Sequence, residues 1–189
     1  MKRVAIALAI TVGLVLPAQA QSTLRLGVDA LPLSLGNPYR TAAIPSIYVL
    51  SAMFDGLTRL DNAGNLAPWL ATKWESADNL TWRFTLRDDV RFSNGTPFNA
   101  EAVKVAVDYL ASEPAAAKEG LIREIPALRG ARVVDARTVE ITLVESDPLF
   151  PRSAAALPIA EPGQWNKLGR DAFSRAPIGT GPFMLERWE

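Results

Sequence analysis

Between Thr81 and Arg87 the chain alternates strictly, with apolar Trp82, Phe84 and Leu86 between polar Thr81, Arg83, Thr85 and Arg87. A period of two belongs to a strand with one buried face. The turn residues Ala77-Asp78-Asn79 precede it, so a hairpin with residues 73–76 is predicted. Val139, Ile141 and Leu143 alternate in the same way, and Asp135-Ala136-Arg137 joins them to Arg132-Val133-Val134 as a second predicted hairpin. Leu24, Leu26 and Val28 predict a short strand near the start, and Phe183 opens a last one. The period changes after Asn99. Val103, Ala106, Val107 and Leu110 share one face of a helix predicted from Ala100 to about Ser112. Asn99 is its N-cap, and Pro114 with the Ala-rich run behind it is its expected end. Ile47, Leu50 and Phe54 predict an earlier helix that begins near Pro45 and stops at Gly56. Residues 148–157 read as a short helix, and turns are expected at 61–65 and 93–95. Strands and helices are interspersed without a repeat or a linker, which gives an α/β or α+β class.

The first twenty residues carry a different pattern. Lys2 and Arg3 precede an uncharged apolar run from Val4 to Leu16, then Pro17 and an Ala18-Gln19-Ala20 motif. This is the pattern of a secretory signal peptide, with cleavage expected after Ala20. The run falls short of the ~20 apolar residues that span a bilayer. The product is expected in the periplasm, not spanning the membrane after cleavage.

Composition removes several classes of function. The chain has 189 residues, with 20 Lys+Arg against 20 Asp+Glu, so it lacks the basic excess of a nucleic-acid binder. It contains no Cys and no His. Disulfides, thiol nucleophiles, Cys/His zinc sites and Ser-His-Asp triads are impossible within it. No catalytic residue, cofactor site or metal site is expected. Asp88, Asp89, Glu101 and Asp108 could supply acid–base chemistry, but no pair is singled out by spacing. Gly179-Thr180-Gly181 lacks the third Gly or the Gly-Lys-Ser/Thr of a phosphate loop, so a tight turn leading into a strand is expected there. Trp69, Trp74 and Trp82 suit either a sugar-stacking surface or the core of a small sheet, with the core favoured. Asn37-Pro38-Tyr39 lies in the loop after the first strand, where open α/β folds bind ligands. These three residues are the candidate ligand contacts; an ordinary Asn-Pro turn accounts for them equally well.

Three blocks in order carry a family resemblance. The first is Met53-Phe54-Asp55-Gly56-Leu57-Thr58-Arg59-Leu60-Asp61, followed by Asn65-Leu66-Ala67-Pro68-Trp69-Leu70-Ala71 and Trp74-Glu75. The second runs from Leu80-Thr81-Trp82 through Ser93-Asn94-Gly95 to Glu101, and the third is Pro177-Ile178-Gly179-Thr180-Gly181-Pro182-Phe183. Together they resemble the extracytoplasmic solute-binding proteins of family 5, which serve ABC importers for peptides and nickel. The resemblance implies a periplasmic-binding-protein-like (class II) α/β fold of two hinged lobes, with an α+β subdomain inserted into the first. It implies that 1–20 is the signal peptide, 21–45 the start of lobe I, 46–176 the inserted subdomain and 177–189 the return into lobe I. Family members are longer, so the second lobe is expected to be absent and the chain to be an N-terminal portion.

The function implied is capture of di- or oligopeptides and delivery to an inner-membrane ABC permease, without chemistry and as a monomer. Nickel-chelate binding is the alternative, because the block from Leu86 to Glu101 is similar to the nickel-binding branch. That branch carries an Arg shortly after a Leu-Pro pair, where this chain has Leu157-Pro158-Ile159. A secreted carbohydrate-active protein is the remoter alternative.

Overall fold

The structure is a computed structural model that describes residues 33–40 and 44–188, together with Arg25, Gly27 and Ala30. The expected first strand, Leu24 to Val28, and the signal segment lie outside the described residues.

The two predicted hairpins form one antiparallel sheet. Strands β3 (Ala71–Glu75), β4 (Thr81–Leu86), β5 (Leu128–Asp135) and β6 (Thr138–Leu143) are ordered β3-β4-β6-β5. Trp82, Phe84 and Leu86 of β4 and Val139, Ile141 and Leu143 of β6 all point inward and are buried. The outer face is polar. On it Glu75 faces Arg83, Arg83 faces Glu140, and Glu140 faces Arg132, so one rung crosses all four strands. A smaller hairpin, β1 (Thr58–Leu60) with β2 (Leu66–Pro68), precedes the sheet. Its turn is built by Asp61, whose carboxylate accepts the N–H groups of Ala63 and Asn65 at 2.9 and 2.8 Å. These backbone bonds and the Asn65 side chain hold the Asp61 pKa below the usual carboxylate range, the Asn65 N–H being the largest cause.

Helix α2 (Ala100–Leu110) covers the inner face of the sheet with Val103, Ala106, Val107 and Leu110, as its periodicity predicts. Asn99 caps it by accepting the Ala102 N–H at 3.2 Å. Pro114 does not merely end this helix. It sits in the first turn of a further short helix, α3 (Glu113–Lys118), where a missing N–H costs nothing. Helix α1 (Ile44–Met53) forms where expected, but its buried side is Ser46, Leu50 and Met53, with Ile47 46% exposed. The helix is apolar all round, so periodicity cannot choose its face. The segment 148–157 becomes α4 (Phe150–Ser153) and a 3₁₀ turn at Ala154–Ala156.

Two differences from the pattern stand out. Helix α5 (Pro162–Phe173) has Pro162 as its one sequence signal, because Gly169 kinks it at φ 69° between its two buried aromatics and breaks the apolar register. It nevertheless buries Trp165 and Phe173. The expected strand from Phe183 is not formed among the described residues: 183–188 run without a ladder partner.

Candidate functional site

The residues of the three sequence blocks meet at one junction of backbone against backbone. The chain leaving α1, residues 53–57, is crossed on one side by 154–159. There Leu57 donates to the Ala154 carbonyl and Ile159 donates to the Asp55 carbonyl, both at 3.1 Å. On another side it is crossed by 177–183. Gly181 donates to the Met53 carbonyl at 2.9 Å and Phe183 to the Ala52 carbonyl at 3.1 Å. Ser93, in the turn of the second block, donates to the Gly179 carbonyl at 2.9 Å.

Glycine makes this approach possible. A Cβ on Gly181 would lie 2.6 Å from the Ala52 carbonyl oxygen, and one on Gly56 would lie 2.5 Å from that of Ala155. Gly179-Thr180-Gly181 is therefore a close-packed crossing, in agreement with the rejection of a phosphate loop. Asp55 joins the blocks through its side chain. One carboxylate oxygen accepts the Trp69 indole N–H at 2.7 Å and the other accepts the Thr180 hydroxyl at 2.7 Å.

The structure buries all three candidate ligand contacts, Asn37, Pro38 and Tyr39. The Asn37 side chain accepts the Tyr39 N–H at 2.9 Å and shapes the turn. The Tyr39 ring packs edge-on against Trp165 at 5.0 Å and tilted against Tyr109 at 5.5 Å. Burial pushes the Tyr39 phenol well above its ordinary pKa, so it stays neutral. Beneath this loop lies a polar network that the sequence did not single out. Tyr109 donates to the Glu119 carboxylate at 2.7 Å, and the Arg170 guanidinium donates to the same oxygen at 2.6 Å. The other Glu119 oxygen is buried without a hydrogen-bond partner. Burial, then the Glu119 carboxylate, raises the Tyr109 pKa. Neither Glu119 nor Arg170 stands in a motif; the one sequence signal is Pro162, a helix start two turns before Arg170.

The carboxylates weighed for acid–base work are not brought together. Asp88 pairs with Arg137, Asp89 with Arg87 at 2.7 Å, and Asp108 with Lys104. The Arg87 hydrogen bond holds Asp89 below the usual range. The Trp residues form no shared platform. Trp82 is buried with its N–H on the Asp147 carbonyl at 3.2 Å, while Trp69 is held by Asp55 under the Arg59 guanidinium, 4.5 Å from the ring centre. An open hollow of about 410 Å³ on the outer sheet face is lined by Glu75, Arg83 and Glu140 among others. Its Arg83 is already engaged by Glu140 through two nitrogens, at 3.1 and 2.6 Å.

Comparison with known proteins gives the class of this α/β module with its buried motif crossings. The description of bacterial extracellular solute-binding proteins, family 5 (middle region), matches residues 65–189. The chain belongs to that family. It is 31% identical over 163 residues to the nickel-binding periplasmic protein of Escherichia coli K12, a match covering 83% of this chain and 30% of that one. It is 30% identical over 178 residues to the periplasmic murein peptide-binding protein MppA of the same strain, covering 82% and 32%. Among solved structures, NikZ of Campylobacter jejuni in complex with Ni(L-His) superposes with a TM-score of 0.62 at 28% identity, covering 75% of this chain and 29% of that one. The chain thus spans about a third of the length of these relatives. Among the described residues no helix is long and apolar enough to cross a membrane.

Proposed function

We propose that the chain forms part of the first lobe of a periplasmic binding protein that captures di- or oligopeptides for an inner-membrane ABC permease. On this reading, residues 1–20 direct export, 46–176 form the subdomain inserted into lobe I, and 177–189 return into that lobe. The protein acts as a monomer without chemistry, and closure of two lobes on the solute shifts an existing open–closed equilibrium. The observation that carries the peptide reading is the match to a peptide-binding relative, in a chain with no His or Cys to complete a nickel coordination sphere. Nickel-chelate capture is the second reading. It rests on the equally extensive match to the nickel-binding protein, and the Ile at position 159 counts against it.

Titration calorimetry of the two-lobed protein that contains this module, with a pool of di- to pentapeptides and separately with a nickel–histidine chelate, tests the proposal. Heat with peptides is expected. Heat with the chelate alone replaces the peptide reading with the second, and heat with neither overturns solute capture.

A further inference from the structure

The hydrogen bonds to the crossing segment 177–183 are almost all main chain, while Pro177 is buried and Ile178 packs against the core. Its glycines offer no side chains, and its neighbours at Met53, Ala52, Ser93 and Glu161 meet it through backbone hydrogen bonds. Thr180 is the exception. Its hydroxyl reaches the Asp55 carboxylate at 2.7 Å, and the second oxygen of that carboxylate is occupied by the Trp69 indole at 2.7 Å. Trp69 lies at the corner between β2 and β3, and makes no hydrogen bond to the crossing segment. Asp55 itself sits in the short link between α1 and β1, where its own carbonyl accepts the Ile159 N–H.

We infer that Trp69, Asp55 and Thr180 form a relay that latches the crossing segment. The indole fixes the rotamer of Asp55, and the oriented carboxylate then fixes Thr180. Trp69 and Asp55 are positioning residues, acting on the placement of 177–183 rather than on a solute. On the two-lobe reading proposed above, that segment leads the chain out of the module. The latch then sets the direction in which the rest of the binding unit is presented. Its geometry is independent of which solute is captured.

Amide hydrogen exchange on the ligand-free chain reads the latch directly. The Gly181 and Phe183 N–H groups report on it, and the central β4 amides report on global stability. Thr180→Val should accelerate exchange at Gly181 and Phe183 by about tenfold relative to the β4 amides. Trp69→Phe should accelerate the same two amides, by about threefold or more, although the indole bonds to neither. Asp55→Asn should stay within about threefold of the parent protein, because its amide oxygen accepts from the indole and its amide nitrogen donates to Thr180. If Thr180→Val and Trp69→Phe alter Gly181 and Phe183 only in proportion to β4, there is no latch. Because no solute is present, that outcome is separate from failure of the capture proposal.

Discussion

Replacing Gly181 by Ala puts the close crossing to a quantitative test. Gly181 does not adopt a left-handed backbone, so the obstacle is space alone. The new methyl would lie 2.6 Å from both the Ala52 carbonyl oxygen and the Met53 carbonyl carbon. Both neighbours are backbone, and neither can swing aside as a side chain would. Relief requires the two strands of chain to separate by nearly 1 Å, which stretches the bonds from Gly181 to Met53 and from Phe183 to Ala52. Overpacking of this kind costs about 1–3 kcal/mol. Each weakened hydrogen bond adds up to about 1 kcal/mol. The smaller entropy of the unfolded Ala chain offsets about 0.4–1 kcal/mol. The net loss is about 2–3 kcal/mol, which lowers Tm by roughly 4–12 °C for a chain of this size. Urea unfolding followed by circular dichroism measures it. Gly95→Ala is the contrast: its Cβ would meet nothing within 4 Å, and only its φ of 86° opposes the change, for about 1–2 kcal/mol. A Gly181→Ala protein within about 0.5 kcal/mol of the parent would refute the argument from close approach.

Glu119→Ala should lose about 3 kcal/mol in urea, since it strips a buried acceptor from Arg170 and Tyr109. That figure is at the low end because the Arg170 side chain remains 23% exposed and keeps Asp171; a loss under about 1 kcal/mol would show the pair to be dispensable. Hydrogen bonding from Arg83 and then from Arg132 lowers the Glu140 pKa, so its stabilisation is complete above the ordinary carboxylate value near ~4.3 and is lost as pH falls through the lower folded value. Glu140→Gln should accordingly flatten the fall of Tm in acid, and an unchanged slope contradicts the assignment. Asn99→Ala should cost about 1 kcal/mol through loss of the α2 cap, with the far-ultraviolet spectrum preserved and only the urea midpoint shifted. Acrylamide should leave Trp82 and Trp165 protected in single-tryptophan variants; quenching of Trp82 as fast as that of free indole would reopen the sugar-stacking reading.

The sheet and α2 were legible because one face of each is wet. Trp82-Phe84-Leu86 and Val139-Ile141-Leu143 report their side through alternation, and Asn99 marks a helix start with a chemistry few other positions need. Helix α1 was found but not oriented, because its outer residues, Ile44, Ile47 and Tyr48, are as apolar as its inner ones. Helix α5 escaped because its two buried aromatics, Trp165 and Phe173, fall on either side of the Gly169 kink, and the register breaks between them. The Asn-Pro-Tyr loop is legible in the sequence as a turn, and its surroundings come from distant elements. A polar amide and a phenol read alike whether they face a ligand or fold inward. Here Asn37 satisfies the backbone of its own turn, and Tyr39 finds an aromatic cluster contributed by α2 and α5. Asp55 and Glu119 were invisible as site residues because the partners that complete them, Thr180 and Arg170, lie 125 and 51 positions away.

The rung Glu75–Arg83–Glu140–Arg132 bears on how the sheet selects its own pairing. Sliding one strand past its neighbour by a single residue turns its apolar side to water, so burial alone rejects that error. Sliding by two residues keeps every apolar side chain inward, and the core hardly distinguishes it. The charges do. A two-residue slip of β4 against β6 sets Arg83 opposite Thr138 or Thr142 and leaves Glu140 facing a threonine. The equivalent slip against β3, in one direction, brings Arg83 opposite Lys73. Each opposed pair is worth only about 0.2–1 kcal/mol, and a like pair is unfavourable by a similar amount. Three consecutive pairs multiply those preferences, so the solvent side proofreads the alignment that the buried side leaves degenerate, and it should do so less well in high salt.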